Sequence, residues 1–250
     1  MQISLASINL HGGRTRHGRA YPVSDAIGAL DADVVLVQEN WRPRGEDSLA
    51  RRAAAAHGYR SVAEFDLVPD VALAALGIVR GPAPDETGAW GLAVLSRLPV
   101  QEYATIPLGH APGDLGGPRF AQVLTIPIGG EAALRVVNTH LTYRLAYGPG
   151  QLRRLIARLA RPRVPTVIGG DLNMCRPTVA LASPYRPAVR GRTWPAHRPI
   201  AQIDHLLAGP GVEVRDAAVA ADQGSDHRAV RATLTLTTDS VRPEQRTAVA

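Results

Sequence analysis

An α/β fold with two packed β-sheets is the class the sequence predicts, and three observations carry that prediction. Short apolar runs recur along the whole chain. Only a few stretches have helical periodicity. The 24 Gly and 20 Pro among 250 residues supply many turns. Roughly ten or more strands follow from this pattern, more than a single twisted sheet usually holds, so two sheets packed together are expected.

The elements come in this order. Residues 2–8 alternate and give way to Asn-Leu-His-Gly-Gly, a strand ending in a loop. Pro22 opens a short helix running to Leu30. Asp33–Glu39 is a continuous apolar run of the kind that is buried on both faces. Asp47–His57 is Ala/Arg-rich and helical, and Gly58 closes it. Ala72–Val79, Trp90–Ser96 and Val100–Pro107 read as strands, and Phe120–Ile128 with Ala132–Thr139 as a hairpin turning at Gly-Gly. Gly150–Ala160 puts Leu152, Leu155, Ile156 and Leu159 on one stripe, the clearest amphipathic helix. Pro165–Gly170 is a second buried strand, 174–200 a Pro/Arg-rich loop, and Ile203–Leu207, Val212–Val219 and Ala229–Thr237 the last strands. No composition break or repeat divides the chain, so one domain over 1–237 is expected, with 238–250 as a flexible polar tail.

Basic residues outnumber acidic ones 28 to 22, for a net charge of +6, and every basic residue is arginine. The absence of lysine excludes Schiff-base chemistry, a Walker phosphate-binding lysine and a kinase strand lysine. The positive balance fits a polyanionic partner, although an Ala/Arg-rich, Lys-free chain fits coding bias equally well. The single cysteine, Cys175, cannot form an intramolecular disulfide. No secretory pattern opens the chain, and its apolar runs are too short to span a bilayer, so a cytoplasmic, monomeric protein with no membrane partner is expected.

The acids, amides and histidines fall where buried strands end. Asn9 follows Ile-Ser-Leu-Ala-Ser-Ile, Glu39 follows Val-Val-Leu-Val-Gln, and His140 follows Arg-Val-Val-Asn-Thr. Asp171 and Asn173 follow Val-Ile-Gly-Gly, Asp204 follows Gln-Ile, and Asp226-His227 precede the last strand. Any one of these alone is a turn former, a cap or a buried histidine. As a set, they gather polar groups outside strand ends, where α/β sheets place ligands. The oxygen donors Glu39, Asp171, Asp226, Asn9 and Asn173 suit Mg²⁺ or Mn²⁺ better than soft metals.

Six motifs (Ser-Ile-Asn9-Leu, Val-Val-Leu-Val-Gln-Glu39, Asn-Thr-His140-Leu, Gly-Gly-Asp171-Leu-Asn173, Gln-Ile-Asp204-His and Gly-Ser-Asp226-His227) stand in one order. Together they resemble the endonuclease/exonuclease/phosphatase superfamily, with its deoxyribonuclease I-like fold, over residues 2 to about 236. The resemblance implies a four-layer sandwich, two mixed β-sheets packed face to face with helices outside. It implies Glu39 as principal ligand of the divalent metal, with Asn9 beside it and Asp226 touching the metal or the histidine network. Asp171 and Asn173 match the pair that positions the attacking water and a phosphate oxygen. His227 matches the group that activates the water, and Asp204 the carboxylate that holds its tautomer. His140 matches a position that supports the phosphate or protonates the leaving oxygen. Arg119, Tyr143, Arg144 and Trp194 are substrate-binding candidates by placement alone.

The expected activity is therefore divalent-metal-dependent hydrolysis of phosphate esters, with a phosphodiesterase or nuclease acting on DNA or RNA as the leading form. A phosphatase or phosphodiesterase for a small-molecule, inositol or lipid phosphate is the alternative. A non-catalytic binding protein on the same fold is disfavoured, because no ligand or histidine of the set is missing.

Overall fold

Twelve strands pair into two six-stranded sheets in the computed structural model, which describes residues 2–77, 86–129, 132–159, 164–179 and 182–237. From edge to edge the first sheet contains β11 (Val212–Val219), β12 (Val230–Leu236), β1 (Gln2–Asn9), β2 (Val34–Pro43), β4 (Thr87–Ser96) and β3 (Ser61–Ala72). The second contains β5 (Glu102–Gly109), β6 (Arg119–Gly129), β7 (Ala132–His140), β8 (Thr166–Asp171), β10 (Asp204–Ala208) and the two-residue β9 (Arg186–Pro187). Each sheet is built round one parallel pair, β1 with β2 and β7 with β8, and the other ladders are antiparallel. The ends of β1, β2, β7 and β8 and the beginnings of β10 and β12 therefore meet at one end of the molecule.

The strand pleat fixes what faces the gap between the sheets. Ile3, Leu5, Val34 and Leu36 of the first sheet meet Leu124, Ile126, Leu134, Val136, Val167 and Leu206 of the second. The intervening residues Ile8, Val35 and Val37 face outward to α1 (Val23–Gly28) and α2 (Leu49–His57). On the opposite outer face, Val137 and Ile168 pack against Leu152 and Leu155 of α3 (Gly148–Arg158). Two sheets inside and helices outside are the layers that the resemblance implies. The α2 boundaries are those its sequence signals: Ser48 caps the first turn by accepting from Arg51 N (3.0 Å), and Gly58 ends the helix in the left-handed conformation.

Moving along the gap toward the functional end, the apolar layer gives way to amides. Gln38 Nε2 donates to Asn138 Oδ1 (2.7 Å), and Asn138 Nδ2 donates to Gln122 Oε1 (2.9 Å) and to the Val37 and Ala93 carbonyls (both 3.0 Å). Gln38 also bonds Ser7 Oγ (3.2 Å). Every member of this layer is buried, so each bond replaces water that cannot reach it. The network stitches the two sheets together directly beneath the site, one residue before Glu39 on β2 and two residues before His140 on β7.

Three elements differ from the sequence reading. The apolar stretch expected as a strand over Ala72–Val79 is a single 3-10 turn at Leu73–Leu76, and 78–79 lie outside the described residues. The strand in that region is β3, which sequence reading missed because Glu64, Asp66, Pro69 and Asp70 interrupt its pattern; as the sheet's edge strand it tolerates them. Within the expected 174–200 loop, Arg176–Val179 forms a helical turn, α4, and β9 pairs with β10. The tail expected at 238–250 lies outside the described residues.

Asn138→Ala removes four bonds at once and leaves buried amide and carbonyl groups unpaired. It should lower unfolding free energy by about 2–4 kcal/mol in urea denaturation. A loss within ordinary surface-mutation range would show that the amide layer does not tie the sheets together.

Candidate active site

The inner face of β1 continues from Ile3 and Leu5 through Ser7 to Asn9, and that of β7 from Val136 through Asn138 to His140. The same alternation on β2 would turn Glu39 outward. A register shift between Val37 and Asn40 and a positive φ of 53° at Glu39 prevent this, so the bulge aims Glu39 into the gap beside Asn9. On β8, Gly169 allows the close approach of the sheets, because a Cβ there would stand 2.5 Å from Leu36 Cδ1 of β2, while a Cβ on Gly170 would run into the Thr139 carbonyl of the adjacent β7. That bareness brings Asp171 up to the first sheet.

Asn9 joins the two halves. Its Nδ2 donates to Glu39 Oε1 (3.0 Å) and to Asp171 Oδ2 (3.0 Å), and its Oδ1 accepts from His11 N (2.9 Å). Its nitrogen, not its oxygen, therefore faces the carboxylates, so Asn9 gathers the acids and does not offer a ligand oxygen among them. Asp171 Oδ1 accepts from Asn173 N (2.9 Å). Ser225 Oγ donates to the Asn9 carbonyl (2.7 Å) and accepts from His227 N (3.2 Å), which fixes the start of the last strand against β1.

His227 presents Nδ1 to both oxygens of Asp204 (3.0 and 3.1 Å) and Nε2 toward Asp171 Oδ2 (3.8 Å) and Asp226 Oδ1 (3.9 Å). Burial works against its charge, but the carboxylates of Asp204, Asp171 and Asp226 outweigh burial and hold the imidazole well above its usual range. His140 goes the other way. Burial, then the Arg119 and His227 charges, keep it well below the ordinary histidine value. Asn173 Nδ2 donates to the Leu141 carbonyl (3.0 Å), which sets its amide, and its second N–H points at His140 Nε2 (3.1 Å). His140 is thus a neutral acceptor at Nε2. Burial also raises the Glu39 carboxyl against the pull of His11, and it pushes Asp171 up to about 7.

Two buried carboxylate oxygens have no hydrogen-bond partner, Glu39 Oε2 and Asp226 Oδ1, the latter facing the His11 and His227 rings at 3.7 and 3.9 Å. The donor atoms of Glu39, His140 and Asp171 lie within 4.8 Å of one another, as do those of Asp171, Asp204 and His227. Unpaired anionic oxygens at the bottom of a cleft call for a cation, and an oxygen-rich set fits a hard divalent ion.

The cluster floors a cleft of ≈ 930 Å³. Of the four substrate candidates, Arg119, Tyr143 and Trp194 line it and Arg144 does not. The Arg144 Nε donates to the Pro112 carbonyl (3.1 Å) beside the Tyr143 ring. Arg119 is only 1% exposed; Asp114 binds its Nε (2.9 Å) and Nη2 (2.6 Å), the Trp90 ring backs it, and Nη1 is left without a partner. Trp194 Nε1 reaches Asp226 Oδ2 (3.4 Å), with the ring 38% exposed. Cys175 is exposed and stands outside the cluster.

The sequence reading missed His11, Trp90, Arg16, His17 and His197, all of which line the cleft. His11 follows Asn9 at the same two-residue spacing as Asn173 follows Asp171, a signal that could have found it; its Nδ1 lies 3.7 Å from Asp226 Oδ1. Trp90 lies in β4, where it read as part of an apolar strand, and Arg16, His17 and His197 sit in loops without strand or helix periodicity.

A model of the endonuclease/exonuclease/phosphatase family matches residues 6–227. No curated protein matches the sequence. Among solved structures, an endonuclease/exonuclease/phosphatase from Beutenbergia cavernae is similar, with TM-score 0.74, 22% identity, 94% of this chain and 72% of that one covered. So is D. rerio TDP2 complexed with single strand DNA product (TM-score 0.67, 15% identity, 94% and 99% covered). A mannosyl-6-phosphatase from Bacteroides thetaiotaomicron is also similar (TM-score 0.63, 14% identity, 94% and 100% covered).

Because Asp171 is raised to about 7, its ionisation opposes folding of the metal-free protein. Its favourable contribution is complete below the ordinary aspartate range and is lost as pH climbs through about 7. In EDTA, Asp171→Asn should therefore gain stability relative to the parent between pH 5 and 8, by more than about 1 kcal/mol, in paired denaturation curves. A pH-independent difference would contradict the burial assigned as the cause of the raised Asp171 carboxyl.

Proposed function

The chain belongs to the endonuclease/exonuclease/phosphatase family, and we propose that it is a phosphodiesterase dependent on Mg²⁺ or Mn²⁺, acting on nucleic-acid phosphodiesters. The observation that carries this reading is the pair of unpartnered, buried carboxylate oxygens of Glu39 and Asp226 beside an imidazole already oriented by Asp204. Glu39 and Asp226, with Asp171 next to them, would hold the cation. When bound, it supplies positive charge against the phosphate oxygens and acidifies water.

The remaining chemistry belongs to the chain's own residues. Asp204 accepts the hydrogen bond from Nδ1–H and leaves Nε2 of His227 facing the cleft; with a cation offsetting the Asp171 and Asp226 charges that keep the imidazole protonated, Nε2 would accept and return a proton. Asn173, steadied by the Leu141 carbonyl and His140, presents an amide beside Asp171 for orienting water or a phosphate oxygen. Of the two roles the resemblance implies for His140, a neutral Nε2 acceptor fits support of the phosphate site through Asn173, whose amide it orients; a proton donor would need the opposite charge state. The free Nη1 of Arg119 supplies a fixed cationic donor to an oxyanion, and its ion pair to Asp114 prevents it from swinging away. The exposed rings of Trp194 and Tyr143 offer stacking faces for a base.

A second reading keeps this machinery and exchanges the substrate for a lipid or small-molecule phosphate. The exposed Leu115, Leu145 and Ile200 favour it, because aliphatic side chains do not stack on bases.

Glu39→Gln should nearly abolish hydrolysis of bis-p-nitrophenyl phosphate and of oligonucleotides. EDTA should do the same to the parent protein, and Mg²⁺ or Mn²⁺ should restore it. Asp204→Asn and His227→Ala should each lower kcat by about 10²–10⁴, with little further loss in the double variant. Undiminished turnover in EDTA, or fully additive losses, would contradict the mechanism.

A further inference from the structure

The segment between β1 and α1 is a rigid turn with a cationic tip. Arg14 and Ala20 pair across its base. Thr15 N donates to the Arg19 carbonyl (2.7 Å) and Gly18 N to the Thr15 carbonyl (2.8 Å). Thr15 Oγ1 accepts from the backbone N–H groups of His17 and Arg19 (both 3.3 Å). Arg16 and His17 project from this turn into the wall of the same cleft that Glu39, Asp171 and His227 floor. From the loop that follows Trp194, His197 meets them, and Arg16 Nη1 donates to His197 Nε2 (3.2 Å).

The charge here is not neutralised. Arg14 at the base of the turn pairs with Glu86, and Arg42 on β2, Arg44 just beyond it, and Arg51 and Arg52 on α2 each pair with an acid. Neither Arg16 nor Arg19 has a carboxylate partner among the described residues. The lining also carries Leu115 and Tyr143, and the Arg119 charge there is paired with Asp114. Arg16 is therefore the cleft-lining arginine without a carboxylate partner among the described residues. At ≈ 930 Å³ the cleft is at the large end for a small-molecule site and has room beyond a single phosphate group.

We propose that Arg16, His17 and His197, with Arg19 beside them, form a second anion subsite that takes a phosphate neighbouring the one hydrolysed, so that the preferred substrate is a nucleic-acid strand. This rests on the phosphodiesterase reading above and specifies it further. The planar guanidinium of Arg16 suits bidentate contact with a phosphate, and the His197 bond holds it at the rim before substrate arrives. A monoester or a single-phosphate diester fills only the floor and does not reach this subsite.

The test compares the p-nitrophenyl ester of thymidine 5′-phosphate, which has one phosphate, with a single-stranded oligonucleotide, in Mn²⁺ and over a salt series. Arg16→Ala and His197→Ala should raise the ratio of oligonucleotide KM to single-phosphate KM about tenfold. Arg16→Ala should also reduce the oligonucleotide's log–log salt slope by about one. Arg16→Lys, which keeps the charge and loses the planar fork, should recover the salt slope and only part of the affinity. Equal losses on both substrates, or none on either, would overturn the subsite. So would a loss confined to anionic phospholipid vesicles. If the parent protein cleaves no diester with either metal, the phosphodiesterase reading fails by itself. The subsite is then judged by fluorescence anisotropy of the labelled oligonucleotide in EDTA, where weaker binding by Arg16→Ala supports it and unchanged binding overturns it.

Discussion

One side-chain amide holds the two halves of this protein in working register. Asn9 Nδ2 spends both hydrogens on carboxylates from different sheets, Glu39 of the first and Asp171 of the second. Two buried acids would otherwise repel each other and drive the sheets apart at this end. With a donor between them, the sheets can close to the spacing that the Ser7–Gln38–Asn138–Gln122 layer sets just below. The other features of the site follow from that closure. Gly169 must be bare for β8 to come near enough to Leu36, and Glu39 must sit in a bulge to turn inward.

Charge is concentrated where the fold can least dilute it. Glu39, Asp171 and Asp204 are buried within one cluster, and the protein compensates with a protonatable His227, not with arginine. The one buried arginine of the cleft, Arg119, is engaged by its own acid, Asp114, outside that cluster. The anionic floor is thus left available to a cation, while the cationic rim at Arg16 is left available to an anion. Separating the two charges across one cleft suits a polyanionic substrate whose reacting phosphate must approach carboxylates, because the rim attracts what the floor alone would repel.

Much of this was legible in the sequence, for identifiable reasons. Buried strands show as continuous or alternating apolar runs, so β1, β2, β8 and the β6–β7 hairpin could be read directly, and the polar residue closing each run pointed to the site. The edge strand β3 escaped because its exposed face is written in Glu, Asp and Pro, and the apolar run after it was mistaken for its continuation. Side-chain orientation was not legible at all. Nothing in Ser-Ile-Asn-Leu says that Asn9 offers its nitrogen to the acids, or that Arg144 turns to the Pro112 carbonyl while Arg119 stays in the cleft. Loop residues such as His11, Arg16 and His197 carry no periodicity, and only the folded chain brings them to one wall.

The central claim is that closing the two sheets through Asn9 creates a cation site from acids that neither sheet could assemble alone. Crystals grown or soaked with Mn²⁺ test it most directly, through anomalous scattering at the manganese edge. The account expects one strong peak against the Glu39 carboxylate, between it and Asp226 or Asp171, and expects that peak to vanish in Asn9→Ala crystals. A peak away from these acids, or full occupancy without Asn9, would contradict it.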